Sequence, residues 1–175
     1  MQKISYKQLI LASGCREVPL GALSITGTRP SGIFTAGQMQ ELMNVHGITP
    51  EGPVVILGSG DLGLIMAGQL ARKGIRVTLV EKQETCGGMP GNRKCLKTSG
   101  VSLLCGDTVS RVHGYPHITG CTTEKGVYLP CRCLLIAVGL WLLNRDREGF
   151  RRYMDHLAVT FLTSALLWLL LPNGQ

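Results

Sequence analysis

The sequence predicts an α/β protein: a Rossmann-like parallel sheet with helices on both faces, a small three-stranded β-meander and a hydrophobic C-terminal helix. The first observation is the apolar run at residues 54–57, which ends in G-x-G-x-x-G and then changes to helical periodicity. The second is another apolar run at residues 77–80, which ends on Glu81. This order of strand, glycine turn, helix, strand and acid is typical of a dinucleotide-binding βαβ unit.

The three glycines of the turn have separate expected roles. Gly58 permits the tight turn, Gly60 lets bare backbone approach a pyrophosphate, and Gly63 lets the helix pack closely on the strand. The unpaired N–H groups at the start of the helix, at Asp61 and Leu62, favour phosphate charge. The predicted cofactor-binding residues of this unit are Gly58, Ser59, Gly60, Asp61, Leu62, Gly63 and Glu81.

The acid after the second strand indicates the nucleotide. Glu81 is placed to accept hydrogen bonds from a ribose 2′-hydroxyl, which favours NAD over NADP. Lys82 follows it and would contact a 2′-phosphate, so NADP stays open as the less favoured alternative.

Before this unit, the sequence predicts a buried strand at residues 8–13 and a loop at 15–32. Thr35 is expected to cap a helix of about ten residues that Gly47 closes. After the unit come a glycine-rich turn and further short elements. They are a turn at 86–91, a helical segment at 92–98, a strand at 101–105, meander strands at 108–113, 117–122 and 126–130, and a buried strand at 134–139.

Composition and charge give little support to nucleic-acid binding, and the cysteine pattern indicates free thiols. The net charge of +7 is spread along the chain, and aromatic residues make up 5%, which leaves little for base stacking on nucleic acid. The seven cysteines include no C-x-x-C pair, and no apolar signal segment opens the chain. We therefore expect free thiols and a cytoplasmic protein without a nucleic-acid partner.

The remaining chemistry-bearing residues give no catalytic assignment. The histidines have no metal-binding spacing, and no Ser-His-Asp order with a nucleophile elbow occurs. Cys131 and Cys133 would share one face of a strand, but buried thiols are favoured over a metal or redox pair. We predict no metal site and name no catalytic acid or base.

Taken together, these motifs resemble the pyridine nucleotide–disulfide oxidoreductase superfamily over residues 5–140. In that family an NAD(P)-binding domain is inserted into an FAD-binding domain, and the chain crosses between them at two segments. Ala12-Ser13-Gly14 is similar to the first crossing, and Ala137-Val138-Gly139 is similar to the second. The resemblance adds Gly14 and Gly139 to the cofactor-binding residues and implies FAD-dependent NAD(P)H oxidoreductase chemistry.

The chain also departs from the family pattern. It contains no N-terminal FAD fingerprint, and Leu140-Trp141 stands where the family has a Pro-Asn turn. The resemblance therefore implies a partial chain: residues 1–50 hold a remnant of the FAD-domain crossing and a linker helix, 51–140 the NAD(P)-binding domain, and 141–175 an atypical tail. FAD is expected from the family although most of its site is missing, and a flavin-bearing chain or a homo-oligomer would supply the rest.

The tail is basic and then apolar on every face at residues 157–171. Such a helix must be buried in protein or lipid. Three interpretations stay open: a short membrane anchor, docking on the groove left by the missing flavin domain, and an out-of-frame translation, which we favour. The functional alternatives to an oxidoreductase are a non-catalytic NAD(H)-binding fragment or subunit and a protein anchored to the membrane by this tail.

Overall fold

The computed structural model describes residues 18–97 and 100–138, which form two sheets and two α-helices. The elements in chain order are β1 (Thr26–Gly27), β2 (Ile33–Thr35), α1 (Ala36–Asn44), β3 (Val54–Leu57), α2 (Asp61–Arg72), β4 (Val77–Glu81), β5 (Val101–Cys105), β6 (Val109–His113), β7 (Gly120–Thr123), β8 (Tyr128–Pro130) and β9 (Cys133–Ile136). Two 3-10 helices, Leu20–Ala22 and Asn92–Lys97, lie between them.

The larger sheet is parallel and has the strand order β2-β9-β3-β4-β5. The chain runs outward from β3 to β4 and β5 and then returns to place β9 on the other side of β3. The strand order therefore reverses between β3 and β9, and open α/β sheets bind ligands beyond the carboxyl ends of the strands at such a point. Strands β3 and β9 are buried throughout, as expected in a parallel sheet covered on both faces.

Both α-helices cover the same face of this sheet. Met39 of α1 and Leu64 and Leu70 of α2 pack with Ile56 of β3 and Leu79 of β4 in one buried cluster. Successive residues of a strand point to opposite faces, so this cluster contains alternate residues of β3 and of β4.

The opposite face is covered by the smaller sheet, whose order is β1-β6-β7-β8. Val55 of β3 and Val80 of β4 pack there against Val112 of β6 and Ile118 of the segment between β6 and β7. Strands β6, β7 and β8 form the predicted antiparallel meander, and β1 adds a short parallel strand to it.

The predicted fold class is confirmed, with corrections of detail. Within the described residues, helices cover one face only, because the meander fills the second face and buries the apolar residues there. The structure describes residues 18–32 of the predicted loop at 15–32, and this part contains the short strand β1. The expected strand at 8–13, Gly14, Gly139 and the hydrophobic tail lie outside the described residues.

Helix α1 begins where the sequence predicts it. The Thr35 hydroxyl accepts a hydrogen bond from the Gln38 backbone at 3.3 Å, and the Gln38 side chain accepts one from the Thr35 backbone at 3.0 Å. This capping box satisfies two N–H groups that would otherwise be unpaired at the helix start. In the part of the chain that the structure describes, no helix has the length and apolar character needed to cross a membrane.

Candidate functional site

The glycine turn between β3 and α2 has the geometry expected of a phosphate-binding loop. Gly58 has φ 103°, a conformation that favours glycine, and its N–H donates to Val80 O at 2.8 Å. A Cβ on Gly63 would overlap the carbonyl oxygen of Gly58, so helix and strand meet closely there. At Gly60, by contrast, no atom of the described residues lies within 4 Å of an added Cβ. The turn is therefore packed tightly at two glycines and open at the middle one.

Helix α2 begins directly beside this open space. Gly60 is its N-cap and makes no side-chain cap, and Leu64 N–H donates to Gly60 O at 3.0 Å. Within the described residues, the backbone N–H groups of Asp61 and Leu62 have no hydrogen-bond acceptor. Unpaired N–H groups and the helix dipole together favour an anion at this position.

Glu81 lies at the carboxyl end of β4 with its carboxylate against the glycine turn. Its Oε2 accepts from Ser59 N at 2.8 Å and from Ser59 Oγ at 2.7 Å, and its Oε1 accepts from Gln83 N at 2.9 Å. The side chain is 6% exposed. A carboxylate has about four acceptor sites, so Oε1 retains capacity for a further hydrogen bond.

A segment that follows β4 lies across the same turn. The N–H of Gly87 donates to Ser59 Oγ at 2.7 Å, and Asp61 Oδ1 accepts from Met89 N and Asn92 Nδ2, each at 2.7 Å. Gly88, with φ 64°, packs so closely that a Cβ there would lie 3.2 Å from Asp61 N. Residues 87–93, which we call the covering segment, are thus fastened to the start of α2.

Asp61 carries a negative charge in this arrangement. The hydrogen bonds from Met89 and Asn92 lower the pKa of its carboxyl, and the nearby guanidinium of Arg93 lowers it further. A carboxylate in the first turn stabilises the helix dipole, but it also repels a phosphate that approaches the same N–H groups.

The structure places seven of the nine predicted site residues together, at the start of α2 and the end of β4. Gly14 and Gly139 lie outside the described residues. Sequence reasoning noted the glycines at 87 and 88 as a turn but did not place them on the site. It missed Asn92 and Arg93 because their contacts depend on how the segment folds back, for which the sequence gives no local signal.

The cysteines of the described residues are all free. Cys121, Cys131 and Cys133 are buried, and burial raises the pKa of the Cys133 thiol to about 12. The expectation that Cys131 and Cys133 share a strand face is wrong, because β9 begins at Cys133 and the two side chains enter different core clusters. In the part of the chain that the structure describes, no cluster of three or more candidate ligands could hold a metal ion.

Comparison with known proteins gives three kinds of match. The family model described as "Pyridine nucleotide-disulphide oxidoreductase" matches residues 1–146. Peroxisomal monodehydroascorbate reductase 2 of Oryza sativa subsp. japonica is 26% identical over 151 residues, which cover 79% of this chain and 32% of that protein. Hydrogen cyanide synthase subunit HcnB of Pseudomonas protegens is 38% identical over 77 residues, covering 44% of this chain and 16% of that protein.

Among solved structures, the chain is similar to an FAD-dependent pyridine nucleotide-disulphide oxidoreductase from Desulfovibrio vulgaris. The TM-score is 0.59 at 25% identity, with 78% of this chain and 36% of that chain covered. The chain thus spans about a third or less of the length of these relatives.

Proposed function

Because the chain belongs to the pyridine nucleotide-disulphide oxidoreductase family, we propose that it binds NAD(H) at the glycine turn and serves as the nicotinamide-dinucleotide-binding part of an FAD-dependent oxidoreductase. The observation that carries this proposal is the open space beside Gly60, next to the unpaired N–H groups of Asp61 and Leu62. A pyrophosphate there would meet the helix N–H groups without a clash at Gly60.

In this proposal Oε1 of Glu81 accepts a hydrogen bond from the ribose 2′-hydroxyl in addition to the one that it accepts from Gln83 N. Ser59 and Gln83 hold the carboxylate in place at the turn. A 2′-phosphate would face this carboxylate and be repelled, so NAD is preferred over NADP.

The flavin belongs to the same proposal. FAD, when bound, exchanges hydride with the nicotinamide, and the protein supplies position and electrostatics. Gly14 and Gly139 are proposed to contact the cofactor at the two domain crossings, in keeping with the family's crossing segments. The flavin-binding part would come from this chain, from a second copy or from another chain.

The binding step is tested by calorimetric titration of the full chain with NAD+, NADH and NADP+. Gly60→Ala would fill the open space with a methyl group and abolish binding without displacing protein atoms. Gly21→Ala is the matched control, since a Cβ there also meets nothing within 4 Å among the described residues and Gly21 lies in the first 3-10 helix, outside the site. Unchanged binding by Gly60→Ala would refute the proposed site.

Glu81→Gln tests the nucleotide preference. The substitution removes the charge, so the ratio of NADP+ to NAD+ dissociation constants should move towards one. An unchanged ratio would show that Glu81 does not select the ribose.

The flavin is tested by the visible absorption spectrum after incubation with FAD and removal of free cofactor. Retained flavin and NADH oxidation support the oxidoreductase. NAD(H) binding by a colourless chain supports the second candidate, a non-catalytic NAD(H)-binding fragment or subunit.

A further inference from the structure

We propose that Arg93 contacts the pyrophosphate of the bound dinucleotide, as a binding residue that the glycine motif does not include. The proposal rests on the proposed function, because it concerns the same site. It assigns to the covering segment a direct role in recognising the anion.

The Arg93 side chain is held in place through its Nε nitrogen. Its Nε donates to the carbonyl oxygens of Gly87 at 3.0 Å and Gly88 at 3.2 Å. Gly88 in turn lies against the first N–H of α2, since its Cβ position is 3.2 Å from Asp61 N. The guanidinium is therefore held by the segment that packs against the start of α2, where the unpaired N–H groups lie.

The outer part of the guanidinium is unused. Arg93 is exposed, and within the described residues its side-chain hydrogen bonds are made by Nε alone. The two terminal nitrogens form a planar fork that matches two phosphate oxygens, and arginine is favoured at such sites for this reason. An arginine pinned at Nε also loses less conformational entropy when the fork binds.

The charge balance of the turn gives an independent reason for a cation here. Asp61 places a carboxylate in the first turn of α2, where its charge opposes that of a pyrophosphate. The Arg93 guanidinium is close enough to lower the pKa of that carboxyl. Arg93 therefore offsets the carboxylate at the position where the phosphates would approach.

Arg93→Gln separates a structural role from a binding role. The side-chain nitrogen of Gln is the same number of bonds from the backbone as Nε of Arg. The variant therefore keeps a donor for the Gly87 and Gly88 carbonyls and removes the charge and the fork. Lys94→Gln is the matched control, because Lys94 is the neighbouring exposed cation.

The experiment measures dissociation constants of the full chain for NAD+ and ADP-ribose by calorimetry, with thermal midpoints from circular dichroism. Both ligands contain the pyrophosphate, so Arg93→Gln should weaken both by about tenfold, at an unchanged thermal midpoint. Arg93→Lys keeps a charge without the fork and should weaken both by a smaller factor. Lys94→Gln should change neither constant.

Equal affinity of wild type and Arg93→Gln for both ligands would overturn this inference alone and leave Arg93 as a support for the covering segment. If the wild-type chain binds neither NAD+ nor ADP-ribose, the proposed function itself fails.

Discussion

Gly63→Ala should destabilise the fold because the added methyl group has no room. Its Cβ would overlap the carbonyl oxygen of Gly58 and lie 3.4 Å from Ala137 Cβ. An ordinary separation of carbon and oxygen is about 3.3 Å, so the start of α2 and the end of β3 would have to move apart by roughly 1 Å.

The magnitude follows from two opposing terms. Alanine is a better helix former than glycine by about 1 kcal/mol, while overpacking at a close contact costs about 1–3 kcal/mol. The obstacle here is backbone and cannot swing aside, which puts the packing cost at the upper end. We expect the free energy of unfolding to fall by about 1–2 kcal/mol.

The assay is equilibrium unfolding in urea, followed by circular dichroism on the full chain. Gly60→Ala is the control, because it adds the same methyl group three residues earlier, at an ordinary φ of −63° and with open space around it. Its stability should change by less than about 1 kcal/mol. A Gly63→Ala protein as stable as wild type would refute the argument that helix and strand are in contact at this glycine.

Three further predictions concern other parts of the described structure. Thr35→Ala should lower the free energy of unfolding by about 1 kcal/mol because it removes the cap to Gln38, whereas Thr35→Ser keeps the cap and should not. Urea unfolding of both variants checks this, and equal losses of stability would contradict it. The pKa of Asp61 is lowered in the folded state, so its stabilising effect is complete above the unfolded value of about 4 and is lost as the pH falls through the folded value. The thermal midpoint of wild type should therefore exceed that of Asp61→Asn at pH 7 and approach it in acid, whereas a constant difference would count against this. Burial and a pKa of about 12 should make Cys133 unreactive towards brief iodoacetamide treatment at pH 8, while the half-buried Cys86 should react faster. Mass spectrometry locates the label, and equal labelling of the two cysteines would contradict the burial of Cys133.

The features predicted correctly from the sequence are those set by local pattern. The apolar runs ending at Leu57 and Glu81 predicted two adjacent parallel strands, and Thr35 predicted the start of a helix, because capping and strand burial depend on neighbouring residues. The tight turn at Gly58 and the close packing at Gly63 were predicted from the motif and are confirmed, while the phosphate contact at Gly60 stays a prediction.

The features that the sequence did not predict depend on contacts between distant residues. Pairing of Thr26 with Arg111 joins segments 85 residues apart, and no local pattern encodes it. Coverage of one sheet face by the meander, instead of by helices, is likewise a matter of tertiary packing. The attachment of Asn92 to Asp61 was missed for the same reason.

The Ser59 hydroxyl has a consequence for communication within the site. Its oxygen accepts the Gly87 N–H and its single proton is donated to Glu81, so the relay has a fixed direction from the covering segment to the carboxylate. Successive hydrogen bonds polarise one another, and each strengthens the next. A ligand that engages Glu81 would therefore change the strength of the Ser59–Gly87 hydrogen bond. By thermodynamic reciprocity, a group bound at Glu81 and an anion bound against the covering segment would each change the binding free energy of the other by the same amount. Binding of the ribose at Glu81 and of the pyrophosphate at the covering segment would thus be coupled through the Ser59 hydroxyl proton.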